Sequence, residues 1–270
     1  MNDVQKYIEL IRTQATNPTD IKPMKKVLNR EILTSSLFST VEFGERFVYK
    51  ISDPKTSMHN LLMAQILLKN NIPVPDSKIF ISGGTYFEKY KIIPGITASL
   101  VMANDLLTHN QILDILTQAL TLDKKISTLG IENTALVNDL VLCDRRYKHH
   151  IKTYGKFIAN VYYHINKRQT MSGNVTLHHY DLNPANILLD ENNNIRALLD
   201  LDSIAICDEY AALTQILSFW PMVTVDEIAK IYTQTFQRDI DTKRLTHLLK
   251  FRRTRDIITT KLRNIKSRKK

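Results

Sequence analysis

The chain has 270 residues, with 37 Lys+Arg against 27 Asp+Glu and a formal net charge of +10. That length suits one large domain or two lobes with a sizeable core, and an apolar content of 43% with 24% charged residues excludes wholesale disorder. The charge is uneven: Lys243–Lys270 holds twelve Lys/Arg and one acid, Asp256, so the rest of the chain is near neutral and the excess is a basic end.

In chain order, Val4, Ile8 and Ile11 predict a helix over Asn2–Gln14 that ends at Asn17-Pro18. Glu31–Ser36, Thr40–Phe43 and Arg46–Ser52 read as three short strands of an antiparallel meander, with a turn at Gly44-Glu45. Met58–Asn70 is an apolar-rich helix halted by Asn70-Asn71 and Ile72-Pro73-Val74-Pro75. Ile79–Ser82, Gly83-Gly84 and Thr85–Ile92 form a hairpin. After Pro94-Gly95 the pattern turns helical over Asn110–Leu129 and Leu136–Arg168. A short β-like section follows over Val175–Asp202, then helices over Tyr210–Trp220, Val225–Gln237 and Thr242 to the end. The architecture expected is α+β, a β-rich first third joined near residues 92–96 to a mostly helical remainder.

Several function classes drop out. Cys143 and Cys207 are isolated thiols, so neither a disulfide framework nor a zinc site is indicated. With only seven glycines the chain has no G-x-x-x-x-G-K-[ST] P-loop and no G-x-G-x-x-G fingerprint, and H-E-x-x-H and G-x-S-x-G are also missing. The N-terminus lacks the basic-then-apolar pattern of a signal peptide, and Tyr210–Val225 is too short and polar to span a bilayer. The expectation is a soluble, cytoplasmic protein without membrane insertion.

The chemistry concentrates in His178–Ser203, which reads HHYDLNPANILLDENNNIRALLDLDS. Ile187–Asp190 and Ile195–Leu199 read as two strands around a turn at Glu191–Asn194. If Asp190 faces Ile195, Asn186 lies opposite Leu199, beside Asp200. An amide oxygen and a carboxylate converging at a sheet end suit a hard cation such as Mg²⁺ that carries phosphates. Asp181, on the preceding loop, is then placed to accept a hydroxyl proton or to orient the hydroxyl.

This spacing resembles the kinase catalytic loop H-x-D-x-x-x-x-N followed by a metal-binding Asp. The wording around it resembles the aminoglycoside phosphotransferase and choline kinase family, in His179-Tyr180-Asp181-Leu182-Asn183-Pro184-Ala185-Asn186-Ile187-Leu188 and Leu199-Asp200-Leu201-Asp202. The likeness extends over about residues 30–220. It implies a two-lobed, protein-kinase-like fold, with an N-terminal β-sheet lobe over residues 1–93 and a helical C-lobe over 94–270. It also implies transfer of the γ-phosphoryl group of ATP or GTP, with Mg²⁺, to a hydroxyl of a small molecule such as an aminoglycoside, amino alcohol or sugar-like metabolite. On this resemblance Asp181 is the catalytic residue and Asn186 and Asp200 hold Mg²⁺. Lys50, in Phe47-Val48-Tyr49-Lys50-Ile51, contacts the α/β-phosphates, and backbone groups near Lys91 and Ile93 bind the base. His179 is a structural residue of the loop, and Asp202 contacts metal or substrate or braces the loop.

The sequence also departs from the family pattern. Tyr180 stands where a glycine is usual, and the helix that should pair a glutamate with Lys50 offers only Asp53 between Ser52 and Pro75, with His59 or Asn60 near the expected place. Where an aspartate often braces the catalytic loop, this chain reads Glu209-Tyr210-Ala211-Ala212, and Ser35–Thr40 must cover the phosphates without glycines. The alternatives are a protein kinase, against which stands the lack of D-F-G and A-P-E wording, and a catalytically degraded binding module. The basic end, residues 243–270, reads first as an amphipathic helix packed on the body. Contact with nucleic acid or an acidic partner through it is the second reading.

Overall fold

A computed structural model describes residues 34–35, 39–43, 47–52, 54–82, 85–129 and 173–267, with the helical positions 151, 156, 159, 160, 163, 164 and 167. The helix expected over Asn2–Gln14, most of that over Leu136–Arg168, both Gly-containing turns of the first third and Cys143 lie outside the described residues. The described chain divides into two units. One runs up to Ile96 and takes in Leu188–Asp202; the other is Thr97–Ile187 with the chain from Ser203 onward.

The first unit is built on alternating strands rich in β-branched and aromatic residues, which suit a half-buried pleated surface. β1 (Thr34–Ser35), β2 (Ser39–Phe43), β3 (Phe47–Ser52), β4 (Ser77–Ser82) and β5 (Thr85–Lys91) form an antiparallel sheet in the order β1-β2-β3-β5-β4. The register sets Lys50 of β3 directly opposite Glu88 of β5, so both side chains rise from one face of the sheet. Helix α1 (Pro54–Lys69) packs Met58 and Leu61 against Ile79 of β4. It ends with Asn71 in the left-handed region (φ 56°), the Ile72 N–H bonded to Leu67 C=O and the Asn71 N–H to Leu68 C=O. This stop satisfies the last carbonyls before Pro73 leads the chain away.

The same unit carries a small hairpin. β8 (Ile187–Leu189) lies between β6 (Ile96–Thr97) and β9 (Ile195–Leu198). The turn is one residue tighter than the sequence suggests: the Asp190 N–H donates to Asn194 C=O at 3.0 Å, so Asp190 closes on Asn194 rather than on Ile195. Asn193 adopts φ 62°, and asparagine tolerates that conformation better than most residues. The Asp190 carboxylate further accepts from the Asn192 and Asn194 N–H groups. Gly95 is required beside this hairpin. Its φ is 152°, and a Cβ there would come within 2.5 Å of the Leu189 carbonyl oxygen.

The second unit is mostly helical. It holds α2 (Ala98–Ala103), α3 (His109–Ser127), α4 (Glu209–Phe219), α5 (Val225–Phe236) and α6 (Thr242–Ser267). It also holds an antiparallel strand pair, β7 (Val175–His179) with β10 (Ile204–Asp208). α3 buries Ile112, Ile115, Leu116, Ala119, Leu120 and Ile126 along one stripe, and Asp123 falls on the same stripe. α4 is buried from Glu209 to Leu217, as expected of a core helix with apolar residues on all sides. No helix among the described residues is long and apolar enough to cross a membrane.

Candidate active site

The loop after β7 carries Asp181, and two neighbours hold it in place. The Asn186 Nδ2 donates to the Asp181 carbonyl at 2.9 Å and to its Oδ2 at 3.3 Å, which folds the five-residue loop back on itself. The Gln215 Nε2, from α4, donates to Asp181 Oδ1 at 2.8 Å. Between them, Asn183 caps the 3₁₀ turn Pro184–Asn186 by accepting from the Ala185 N–H, with Pro184 at a position where a missing N–H costs nothing. Both Asp181 oxygens are thus held by neutral amides, which position a carboxylate without neutralising it.

The strand that delivers the loop is anchored from below. His178 Nδ1 and Asp123 Oδ2 lie 2.7 Å apart, both buried, while the His179 N–H donates to Asp123 Oδ1 at 2.8 Å. Burial alone would lower the His178 pKa, but the charge and hydrogen bond of Asp123 outweigh it and raise the value above the ordinary range. Leu182 is buried, and its carbonyl accepts from the Trp220 indole N–H at 2.9 Å. Tyr180, in the usual glycine position, is buried and bonded through its hydroxyl to Arg252 of α6 at 2.8 Å. Arg244 of the same helix stacks on the Tyr210 ring at 3.8 Å. Those two arginines of the basic end therefore serve the interior of their own unit.

A second constellation lies in the β-sheet unit. The buried Lys50 donates from Nζ to Asp200 Oδ1 at 2.7 Å and to Asp202 Oδ1 at 2.9 Å. Asp200 adopts φ 62°, a left-handed conformation that turns the chain into the 3₁₀ turn Leu201–Ser203. The His59 Nε2, on α1, bonds the Leu201 carbonyl of that turn at 3.2 Å. Glu88, opposite Lys50, accepts from the Asn60 Nδ2 of α1 at 2.9 Å.

One ammonium therefore faces three acids. Desolvation pushes the Lys50 pKa down, but Asp202, Asp200 and Glu88 together raise it. Burial and a hydrogen bond with Asp200 push Asp202 up to about 7, against the pull of Lys50. Burial raises Glu88 too, with Lys50 and Asn60 opposing. Such a surplus of carboxylate oxygen suits a hard divalent cation. Among the described residues no three His, Cys, Asp or Glu side chains converge as a self-sufficient metal centre. A cation here would need ligands beyond the protein's acids, as one carried in with phosphates has.

Of the residues singled out from sequence, Lys50, Asp200 and Asp202 come together in the first unit, and Asp181 and Asn186 in the second. His179 is buried in β7. Lys91, exposed, ends β5, and Ile93 is half-buried in the segment that follows. Gln215, Asp123 and Glu88 are not among the residues that the sequence singles out, whereas Asn60, named there as standing near the expected glutamate, bonds Glu88. Asp123 had a readable signal, an acid on the apolar stripe of a helix. Gln215 sits one turn beyond Ala212, the last residue of the stretch where the bracing aspartate was sought.

Comparison with known proteins decides the family. The model of the phosphotransferase enzyme family APH matches residues 36–247. The chain belongs to that family. Its fold is the α+β, two-lobed, kinase-like one expected from the sequence. Similar solved structures include the GDP complex of wild-type aminoglycoside 2'-phosphotransferase-IIIa, with 16% identity, TM-score 0.57 and coverage of 93% of this chain and 92% of that one. The gentamicin–APH(2")-IIa complex follows at 14% identity and TM-score 0.55, covering 90% and 87%. A choline/ethanolamine kinase family protein from Mesorhizobium loti has 12% identity and TM-score 0.53, covering 89% and 82%. At these identities the structures establish the fold alone. No curated protein sequence matches the chain.

Proposed function

We propose that the protein transfers the γ-phosphoryl group of ATP or GTP to a hydroxyl of a small molecule such as an aminoglycoside, amino alcohol or sugar-like metabolite. The observation that carries this reading is the clamped Asp181, whose two carboxylate oxygens are held by Gln215 and Asn186 in a chain of the phosphotransferase family. Asp181 accepts or orients the acceptor hydroxyl proton. Asn186 spends its Nδ2 on the loop and offers Oδ1 as a cation ligand, and Asp200 offers its carboxylate. Bound Mg²⁺ would neutralise charge building on the transferring phosphoryl oxygens. Lys50 grips the α/β-phosphates, and backbone groups near Lys91 and Ile93 receive the base. His179 supports the loop through its N–H, and Asp202 braces Lys50. The near-neutral charge outside the basic end is compatible with cationic acceptors.

The test is a titration of the purified protein with Mg·ATP and Mg·GTP, followed by a transfer assay against a panel of hydroxylated metabolites and aminoglycosides. Binding of at least one nucleotide and phosphorylation of at least one acceptor are expected. Failure of both across the panel contradicts the proposal.

A further inference from the structure

The family pattern asks α1 for a glutamate to pair with Lys50, and α1 has none: between Ser52 and Pro75 the only acid is Asp53. A buried lysine that must hold phosphate needs a fixed anionic partner, because an unpaired ammonium out of water is costly. Asp200 and Asp202 hold it as the structure stands, but the proposed function gives Asp200 to a cation. That leaves Asp202, at 2.9 Å, as its direct carboxylate partner, and a second acid on the same face would share the task.

The sheet supplies one. Glu88 is directly opposite Lys50 in the β3–β5 register, and side chains of a directly opposed antiparallel pair stand about 5 Å apart on one face. Both residues are only 4% exposed, so no water layer screens the pair. The Asn60 Nδ2, which with His59 stands near the expected helix position, binds Glu88 Oε2 at 2.9 Å, so α1 lies over the face that carries Lys50. Asn60 is fully buried, and its Oδ1 has no hydrogen-bond partner among the described residues. It remains an acceptor within a charged cluster.

We infer that Glu88 is a second positioning carboxylate for Lys50 beside Asp202, carried on strand β5 instead of helix α1, and that Asn60, near the place where the family pattern has its glutamate, holds Glu88 in place. This rests on the phosphotransferase reading only for what Lys50 grips; the pairing itself rests on the sheet register and the burial.

Two measurements test it. In thermal melts, Lys50→Met should lower the melting temperature by several degrees in the wild-type background and distinctly less in the Glu88→Gln background. Equal losses in both overturn the pairing. In calorimetric titrations with Mg·ATP and Mg·GTP, Glu88→Gln should weaken binding on the order of tenfold, and Asn60→Glu/Glu88→Gln, which moves the acid to the helix, should restore it to within about threefold. Wild-type affinity in Glu88→Gln, or a folded exchange variant as weak as Glu88→Gln, overturns the inference. If Glu88→Gln does not fold, the exchange variant and Glu88→Asp carry both measurements: retained affinity supports the inference, and loss of affinity in folded protein overturns it. A wild type that binds neither nucleotide overturns the phosphotransferase reading instead, and the melting comparison still decides the pairing.

Discussion

Asp181 is held by amides, whereas Lys50 is held by acids. Around Asp181 the donors are Gln215 and Asn186, both neutral, and the supports beneath them are a tryptophan, a tyrosine–arginine contact and a buried His–Asp pair. Around Lys50 lie Asp200, Asp202 and Glu88, and each of Lys50, Glu88 and Asp202 is driven off its ordinary pKa. The first arrangement fixes the geometry of one carboxylate through neutral donors. The second holds an unbalanced charge whose relief suits arriving cations. Substitutions in the two regions should therefore fail differently: in turnover at the loop, in stability and nucleotide affinity at the lysine.

The largest effect is expected at the loop. Asp181→Asn removes the proposed proton acceptor and sets an amide NH2 against one of the two donors of the clamp, Gln215 or Asn186. Turnover should fall about 10²- to 10⁴-fold, while calorimetry shows Mg·nucleotide affinity within about twofold of wild type. Next comes Lys50→Met, which strands buried acids without their ammonium. Chemical denaturation should register a loss of about 3–5 kcal/mol, and a loss under about 1 kcal/mol would erase the contrast between the regions. Gln215→Leu removes one hydrogen bond to a charged oxygen, worth about 1.5–3 kcal/mol. If the clamp acts by positioning, that loss appears in kcat, with KM for the nucleotide steady; an equal change in both would make Gln215 a general packing residue.

The smallest effect is a pH slope. Asp123 raises the folded-state pKa of His178 above the ordinary 6.5. The pair's stabilisation is therefore fully present below that value and is lost as pH rises through the raised one. Urea melts of wild type minus His178→Asn across that window should show the difference shrinking with rising pH. A flat difference would mean that the histidine is neutral in the folded state and acts only through its shape.

How much of this could be read from the sequence follows from how far apart the parts lie. Asp181, Asn186, Asp200 and Asp202 fall in one stretch of loop and hairpin, where residue types and spacing carry the pattern without tertiary information. The β3 lysine was legible only through the family resemblance, since a lone lysine in a strand ordinarily faces solvent. Even in the hairpin the turn was misjudged by one residue, because the left-handed Asn193 lets Asp190 close on Asn194. Glu88 was not legible, since its place opposite Lys50 is set by strand register, and Asn60 was legible as a position but not as a partner of Glu88, which helix–sheet packing decides. Gln215 was hidden because a brace can be supplied from the next turn of the same helix at no cost in packing. The basic end was legible as a helix packed on the body, and its contacts agree with that reading: Arg252 bonds Tyr180 and Arg244 stacks on Tyr210. Truncation at Lys243 would therefore disturb the loop that carries Asp181 along with any external partner.

The most direct test of the central claim is transfer itself. Wild-type protein and Asp181→Asn would be incubated with γ-labelled ATP and GTP, Mg²⁺ and pooled aminoglycosides, amino alcohols and sugars, and the products separated by mass. A labelled small molecule made by the wild type and lost in Asp181→Asn is the result predicted. Equal labelling by both proteins, or none by a wild type that also fails to bind Mg·nucleotide, would contradict it.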